Sequence, residues 1–289
     1  MILLVAPAVI YYTIFCYAPM YGLQIAFRDY TPAGGFTGSE FVGLRWFAEF
    51  FNSIYAFRII RNTVLISLLS LCFGFTIPII FALLLNEVKH PRYKKFIQSA
   101  SYLPHFISIV VIVGILMNLF ATNGGIVNVL LNKIFGLEPI NFMGSEEWFR
   151  PIYVGSNVWQ NFGYNSIIYL AAIAAVDPQL YESAVLDGAG RIKQIVNITL
   201  PCIAPTIIIV FILAIGAIMN VGFEKIILMY SPANYETSDV ISTYVYRRGI
   251  VNGEYSFASA VSLMNSAINC AMLLIFNRIS AKVTQISLF

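Results

Sequence analysis

The sequence predicts an all-α membrane protein with six transmembrane helices, and three observations carry that expectation. Of its 289 residues 59% are hydrophobic and only 11% charged, with a mean hydropathy of +0.79, whereas a soluble domain carries about a quarter charged residues. Six apolar runs reach the length of about 20 residues that a helix needs to cross hydrocarbon. None of them alternates polar with apolar residues as a barrel strand would, and a helix is the state in which a lone span satisfies its own backbone groups.

The runs cover about residues 2–27, 63–85, 97–120, 152–175, 202–228 and 257–279, and 1–289 reads as a single transmembrane domain without repeats or low-complexity tracts. The first run has no basic leader and no small-residue cleavage site before Arg28, which argues for a span rather than a signal peptide. With segments 86–96, 176–201 and 280–289 placed in the cytoplasm, these and the adjoining Arg278 carry a net charge of +4, against −1 for the longer outer segments. The positive-inside rule supports that orientation. In the first outer segment Thr31-Pro32-Ala33-Gly34-Gly35 makes a turn, and Leu44, Trp46, Phe47, Phe50 and Phe51 form a short helix with an aromatic face. The outer loops at 121–150 and 229–255 mix Gly, Asn, Glu and aromatic residues suited to meeting a partner outside the cytoplasm.

Several function classes are disfavoured. A net charge of +3 is mild for a nucleic-acid binder. Cys16, Cys72, Cys202 and Cys270 are widely spaced and read as small hydrophobes, and two separated histidines, His90 and His105, make a poor metal set. No Gly-Lys pair occurs, so the sequence offers no phosphate-cradling loop.

The segment 177–201 is built rather than merely polar. Asp177 followed by Pro178 is a helix start: a carboxylate caps free N–H groups and the ring presets the first turn. Leu180 and Ala184, with Tyr181 and Val185 offset, make an apolar strip. Gly188 falls where the helix should stop, since glycine takes the left-handed conformation cheaply. A second helical stretch runs to Pro201.

The residues Glu182-Ser183-Ala184, Gly188 and Ile198-Thr199-Leu200-Pro201 keep every spacing of the EAA motif, and the chain resembles the permeases of binding-protein-dependent ABC importers. Ser183 departs from the usual alanine, and Asp187-Gly188-Ala189 is typical of the sugar-importing branch. Phe41-Val42-Gly43-Leu44, Trp46-Phe47, Arg61-Asn62-Thr63, Lys94-Lys95-Phe96 and Leu103-Pro104 extend the similarity over essentially the whole chain, closest to permeases for oligosaccharides and polysaccharide fragments. The resemblance implies that Tyr181, Glu182, Ser183, Ala184, Asp187, Gly188 and Ala189 dock into an ATPase subunit and pass its motion to the bundle. It implies a second homologous permease, two ATP-binding subunits holding ATP and Mg, an extracytoplasmic solute-binding protein, and a bacterial inner membrane. This chain itself is expected to bind no cofactor and to have no enzymatic activity. The resemblance implies that Glu182 would pair with a basic group of the ATPase or cap a neighbouring helix.

Polar residues at bilayer depth usually face the bundle interior. Asn157, Trp159, Gln160, Asn161, Tyr164 and Asn165 in the fourth span, Asn220 and Glu224 in the fifth, and Asn265 and Asn269 in the sixth are the candidates. Of these Trp159, Asn161, Tyr164, Asn165, Asn220, Glu224 and Asn265 form the expected substrate pathway, amides bonding sugar hydroxyls and rings stacking on sugar faces. Related permeases place a sugar-contacting asparagine where Asn220 stands. The competing role for any of them is interhelical hydrogen bonding, and for Glu224 a local ion pair with Lys225. His105, beside Pro104, is expected to satisfy a kinked backbone. Two other readings fit less well: an ABC permease for a non-sugar solute, and an ion-coupled secondary transporter, which would want acids in mid-membrane that the six runs lack.

Overall fold

The computed structural model describes residues 2–288; Met1 and Phe289, the ends of the expected domain, lie outside the described residues. Helices dominate. The first expected span is helical from Ile2 to Phe27 but not uniformly so: α1 (Ile2–Tyr12) leads into a π-helical stretch, Thr13–Tyr17, and a 3₁₀ stretch, Tyr21–Phe27. Pro19 has no N–H to return to the Phe15 carbonyl, so the regular ladder fails there. The turn expected at 31–35 joins two short antiparallel strands, β1 (Arg28–Asp29) and β2 (Glu40–Phe41), with Arg28 opposite Phe41 and Asp29 opposite Glu40. Helix α2 (Arg45–Asn52) follows, with Phe50 fully buried and Phe51 60% exposed. The two rings leave a single short helix in different directions, as its aromatic face requires.

Among the described residues three helices are long and apolar enough to cross a membrane: α3 (Ala56–Asn86), α9 (Arg191–Gly216) and α12 (Tyr255–Thr284). Between α3 and α9 lie α4 (Pro91–Tyr102), α5 (Ile109–Leu119), α6 (Ile126–Phe135), α7 (Glu146–Ala174) and α8 (Pro178–Leu186); α10 (Phe223–Met229) and α11 (Ile241–Tyr246) precede α12. Helix α7 is 29 residues long and covers the fourth expected span; it is the most amide-rich of the long helices.

Two expected spans differ in detail. The run 97–120 is a broken helix: α4 and a 3₁₀ turn, Leu103–Phe106, meet α5 at a bend of 98°. Pro104 supplies no backbone donor within that turn, and Ser108 restarts the helix by accepting the Val111 N–H at 3.4 Å. The run 202–228 is also interrupted, because α9 stops at Gly216 and helix resumes only at Phe223. In the gap the Ala217 N–H returns to Ala214 and the Asn220 N–H to Ala217, so the chain leaves the α ladder in tight turns.

Among the described residues, 62–239 and 269–288 form one compact unit and 2–61 and 240–268 another. In the first, Ala82, Tyr169, Ile173 and Ile203 from α3, α7 and α9 make a buried cluster. Phe75 packs edge-on against Tyr169 at 6.4 Å and tilts against Phe211 at 5.2 Å. Helix α7 approaches α4 closely at Gly163, where a β-carbon would run into the backbone carbonyl of Ser101. Small residues at such crossings are how helices pack in lipid, where burial offers no hydrophobic gain. The second unit centres on Phe50, Tyr244 and Phe257. There Arg248 donates to Glu254 at 2.6 Å, to Glu49 at 3.0 Å and to the Tyr244 hydroxyl at 3.0 Å, and lies 4.3 Å over the Phe257 ring. Burial pushes the Arg248 guanidinium down, but Glu254 and Tyr244 more than offset it and hold it above its ordinary value.

Candidate translocation cavity and coupling surface

Helix α7 repeats polar and aromatic residues at helical spacing, Tyr153, Asn157, Asn161 and Tyr164, which places them on one face. That face, with α3, α9 and the stretch after Gly216, lines an open cavity of about 850 Å³. Ser67, Ser70 and Phe75 line it from α3, and Asn220 and Gly222 from the interrupted segment. The Ser67 and Ser70 hydroxyl oxygens are buried and have no hydrogen-bond partner among the described residues, although a helical serine ordinarily bonds back to its own helix.

The polar wall is held by specific bonds. Asn269 on α12 donates to Asn220 Oδ1 at 3.0 Å and accepts the Met219 N–H at 3.0 Å, capping the interruption. Asn161 donates to the Asn157 carbonyl at 3.0 Å, and its Oδ1 lies 2.9 Å from His105 Nδ1. The His105 ring stacks on Tyr164. His105 therefore engages side chains of α7, not the kinked backbone, because the 98° bend turns the 103–106 turn against that helix.

Of the expected pathway residues, Asn161, Tyr164, Asn165 and Asn220 line the cavity. Trp159 does not: it is 46% exposed, since a residue two positions before Asn161 points about 200° away around the helix. Glu224 is exposed on α10 and does not line it either. The competing role, an ion pair with Lys225, is not formed: the Lys225 ammonium bonds Asn157 Oδ1 at 2.9 Å, because neighbouring helix residues diverge by about 100°. Asn265 belongs to the other compact unit. Tyr153, Ser67, Ser70 and Lys225 are not among the expected pathway residues; the signal for Lys225 is a lone cation within Phe223–Met229.

The segment 177–201 folds as its residues dictate. Asp177 accepts the Gln179 N–H at 2.9 Å to start α8. At the other end the Gly188 N–H bonds the Val185 carbonyl at 3.0 Å and the Ala189 N–H the Ala184 carbonyl at 2.8 Å, with Gly188 at φ +75°. These are the paired bonds of a Schellman stop. Tyr181 ties the helix to Thr199 at 2.9 Å, and Gln194 holds the Ala189 carbonyl at 2.9 Å. Ser183 bonds back to Gln179 at 2.9 Å, so the departure from alanine is absorbed within the helix. Glu182 and Asp187 are exposed, Val185 is 62% exposed and Leu186 89%. A helix capped at both ends thus shows an uncovered apolar surface edged by acids.

Apolar helices around an amide-lined cavity, with a capped and exposed helix at 178–186, define a membrane permease. The chain belongs to the family of inner membrane components of binding-protein-dependent transport systems, whose model matches residues 74–285; it is a multi-pass inner-membrane permease with the type I ABC permease fold. It is 43% identical to the polygalacturonan/rhamnogalacturonan transport system permease protein YteP of Bacillus subtilis (strain 168), across 97% of this chain and 87% of that one. It is also 43% identical to protein LplB of the same organism, across 99% and 90%. A crystal structure of a bacterial alginate ABC transporter, in complex with an alginate pentasaccharide-bound periplasmic protein, contains a chain 44% identical with a TM-score of 0.91, over 99% of this chain and 95% of that one.

Proposed function

We propose that the chain is one of two permease subunits of an ATP-driven bacterial importer of oligosaccharides, receiving its sugar from an extracytoplasmic binding protein. The single observation that carries the motor half of this reading is α8: capped at both ends, tied to Thr199, and bare on the face that Val185 and Leu186 present. Such a surface suits a cleft on a cytoplasmic ATPase, where two copies hold ATP and Mg and move the bundle when they close. Six spans with segment 177–201 in the cytoplasm fit that role. For the cargo, Asn161, Asn165 and Asn220 offer amides and Tyr164 a stacking face in a cavity of about 850 Å³. That volume lies within the range of about 300–1,000 Å³ usual for ligand sites. Relatives named for polygalacturonan, rhamnogalacturonan and alginate point to polysaccharide fragments.

The test is reconstitution in liposomes with a second permease, an ATPase and a candidate binding protein from the same organism. Oligosaccharide should stimulate ATP hydrolysis only when all components are present. Uptake driven by an ion gradient without ATPase would overturn the reading, as would labelling of cysteines placed at 180–195 from outside the cell.

A further inference from the structure

A buried cation stands at the cavity wall without an acid to neutralise it. Lys225 is 2% exposed. Among the described residues its ammonium meets Asn157 Oδ1 at 2.9 Å and the Tyr153 ring face at 5.8 Å, and no carboxylate. Both of those residues line the cavity, whereas Lys225 lies one side chain behind it. Desolvating an ammonium with no ion partner is unfavourable, so packing alone would be better served by Met or Leu at this position. The charge is therefore a standing cost that the fold carries next to its solute path.

The arrangement also orients a donor. Because the Asn157 oxygen is turned to the ammonium, its N–H₂ group faces the other way, where it meets the Tyr153 hydroxyl and has a second hydrogen to offer. A charge in a poorly polarisable wall is screened far less than one in water, so its field reaches the cavity through a single intervening amide. The unpartnered Ser67 and Ser70 hydroxyls lie in the same cavity.

We infer that Lys225, with Asn157, is the element that makes this permease prefer sugar units bearing a carboxylate: the ammonium supplies the attraction and the oriented amide the hydrogen bond. The inference rests on the cavity being a sugar path. Lys225 acts as a positioning and field-setting residue behind Asn157.

The test compares wild type, Lys225→Gln and Lys225→Arg in the complete reconstituted importer, using trigalacturonate and the same trimer after carboxyl reduction. Lys225→Gln should lower stimulation of ATP hydrolysis by the acidic trimer about tenfold, the scale of one charge-assisted hydrogen bond. Stimulation by the neutral trimer should stay unchanged, and Lys225→Arg should recover most of the acidic response. A Gln variant that loses both responses equally, or neither, overturns the inference while leaving the sugar reading standing. Wild type stimulated by neither trimer overturns both.

Discussion

His105 lies flat on Tyr164, ring centroids 3.9 Å apart and planes 4° from parallel, while its Nδ1 reaches Asn161 Oδ1 at 2.9 Å. A broken span thus braces two cavity residues that sit three positions apart on α7. An aromatic pair contributes about 0.5–1.5 kcal/mol and the hydrogen bond about 1 kcal/mol. His105→Leu should therefore raise the sugar concentration for half-maximal ATPase stimulation by roughly tenfold, with basal turnover unchanged. His105→Phe, which keeps the stack alone, should fall between. Titrations of the three proteins decide it, and a Leu variant like wild type would make the brace incidental.

Gly188 has a φ of +75° and open space beside it, with nothing within 4 Å of where a β-carbon would stand. The cost of a substitution is thus backbone strain, about 1–2 kcal/mol, and not a clash. Gly188→Val should leave the complex assembled but abolish substrate-stimulated ATP turnover. Gly188→Asn, which tolerates the left-handed region, should retain most of it. Co-purification scored beside ATPase activity separates loss of coupling from loss of assembly.

Gly163 and Gly155 sit on the same helix in opposite circumstances. A β-carbon at 163 would strike the Ser101 carbonyl, whereas one at 155 meets nothing within 4 Å. Gly163→Leu should destabilise the detergent-solubilised protein by about 1–3 kcal/mol or more, seen as a lower melting temperature. Gly155→Ala should melt like wild type, and equal melting of both variants would show that α4 and α7 do not need the close approach.

Arg248 is shared by Glu254 and Glu49, with its side chain 25% exposed and theirs 35% and 40%. Partial exposure keeps the contribution small, about 0.5–1 kcal/mol for Glu254→Gln. The loss should be measurable by thermal melting at low ionic strength and vanish near 1 M salt, where the screening length is about 3 Å. A salt-independent loss would locate the effect in packing on Phe257 instead.

What the sequence makes legible follows the range of the interactions. The α8 segment is legible to the residue because Asp177, Pro178 and Gly188 act on their immediate neighbours. The helices near 63–85 and 257–279 are legible because length and apolarity alone select them. The interruption after Gly216 is not, since Ala217, Ile218 and Met219 remain apolar while the bond that caps it comes from Asn269 on another helix. Asn161, Tyr164, Asn165 and Asn220 stand out as polar groups in apolar surroundings. Lys225 invites pairing with Glu224 because they are adjacent in the chain, yet adjacency on a helix sends side chains apart. Trp159 misses the cavity for the same reason.

The cap on the Met219 N–H comes from Asn269, 50 residues further along. Hydrocarbon offers no stand-in for a missing acceptor, so these two distant stretches behave as one heritable cassette. A hybrid permease that borrows its last helix from a cousin must bring an amide at that position, or it will be made with a loose thread beside its own sugar path.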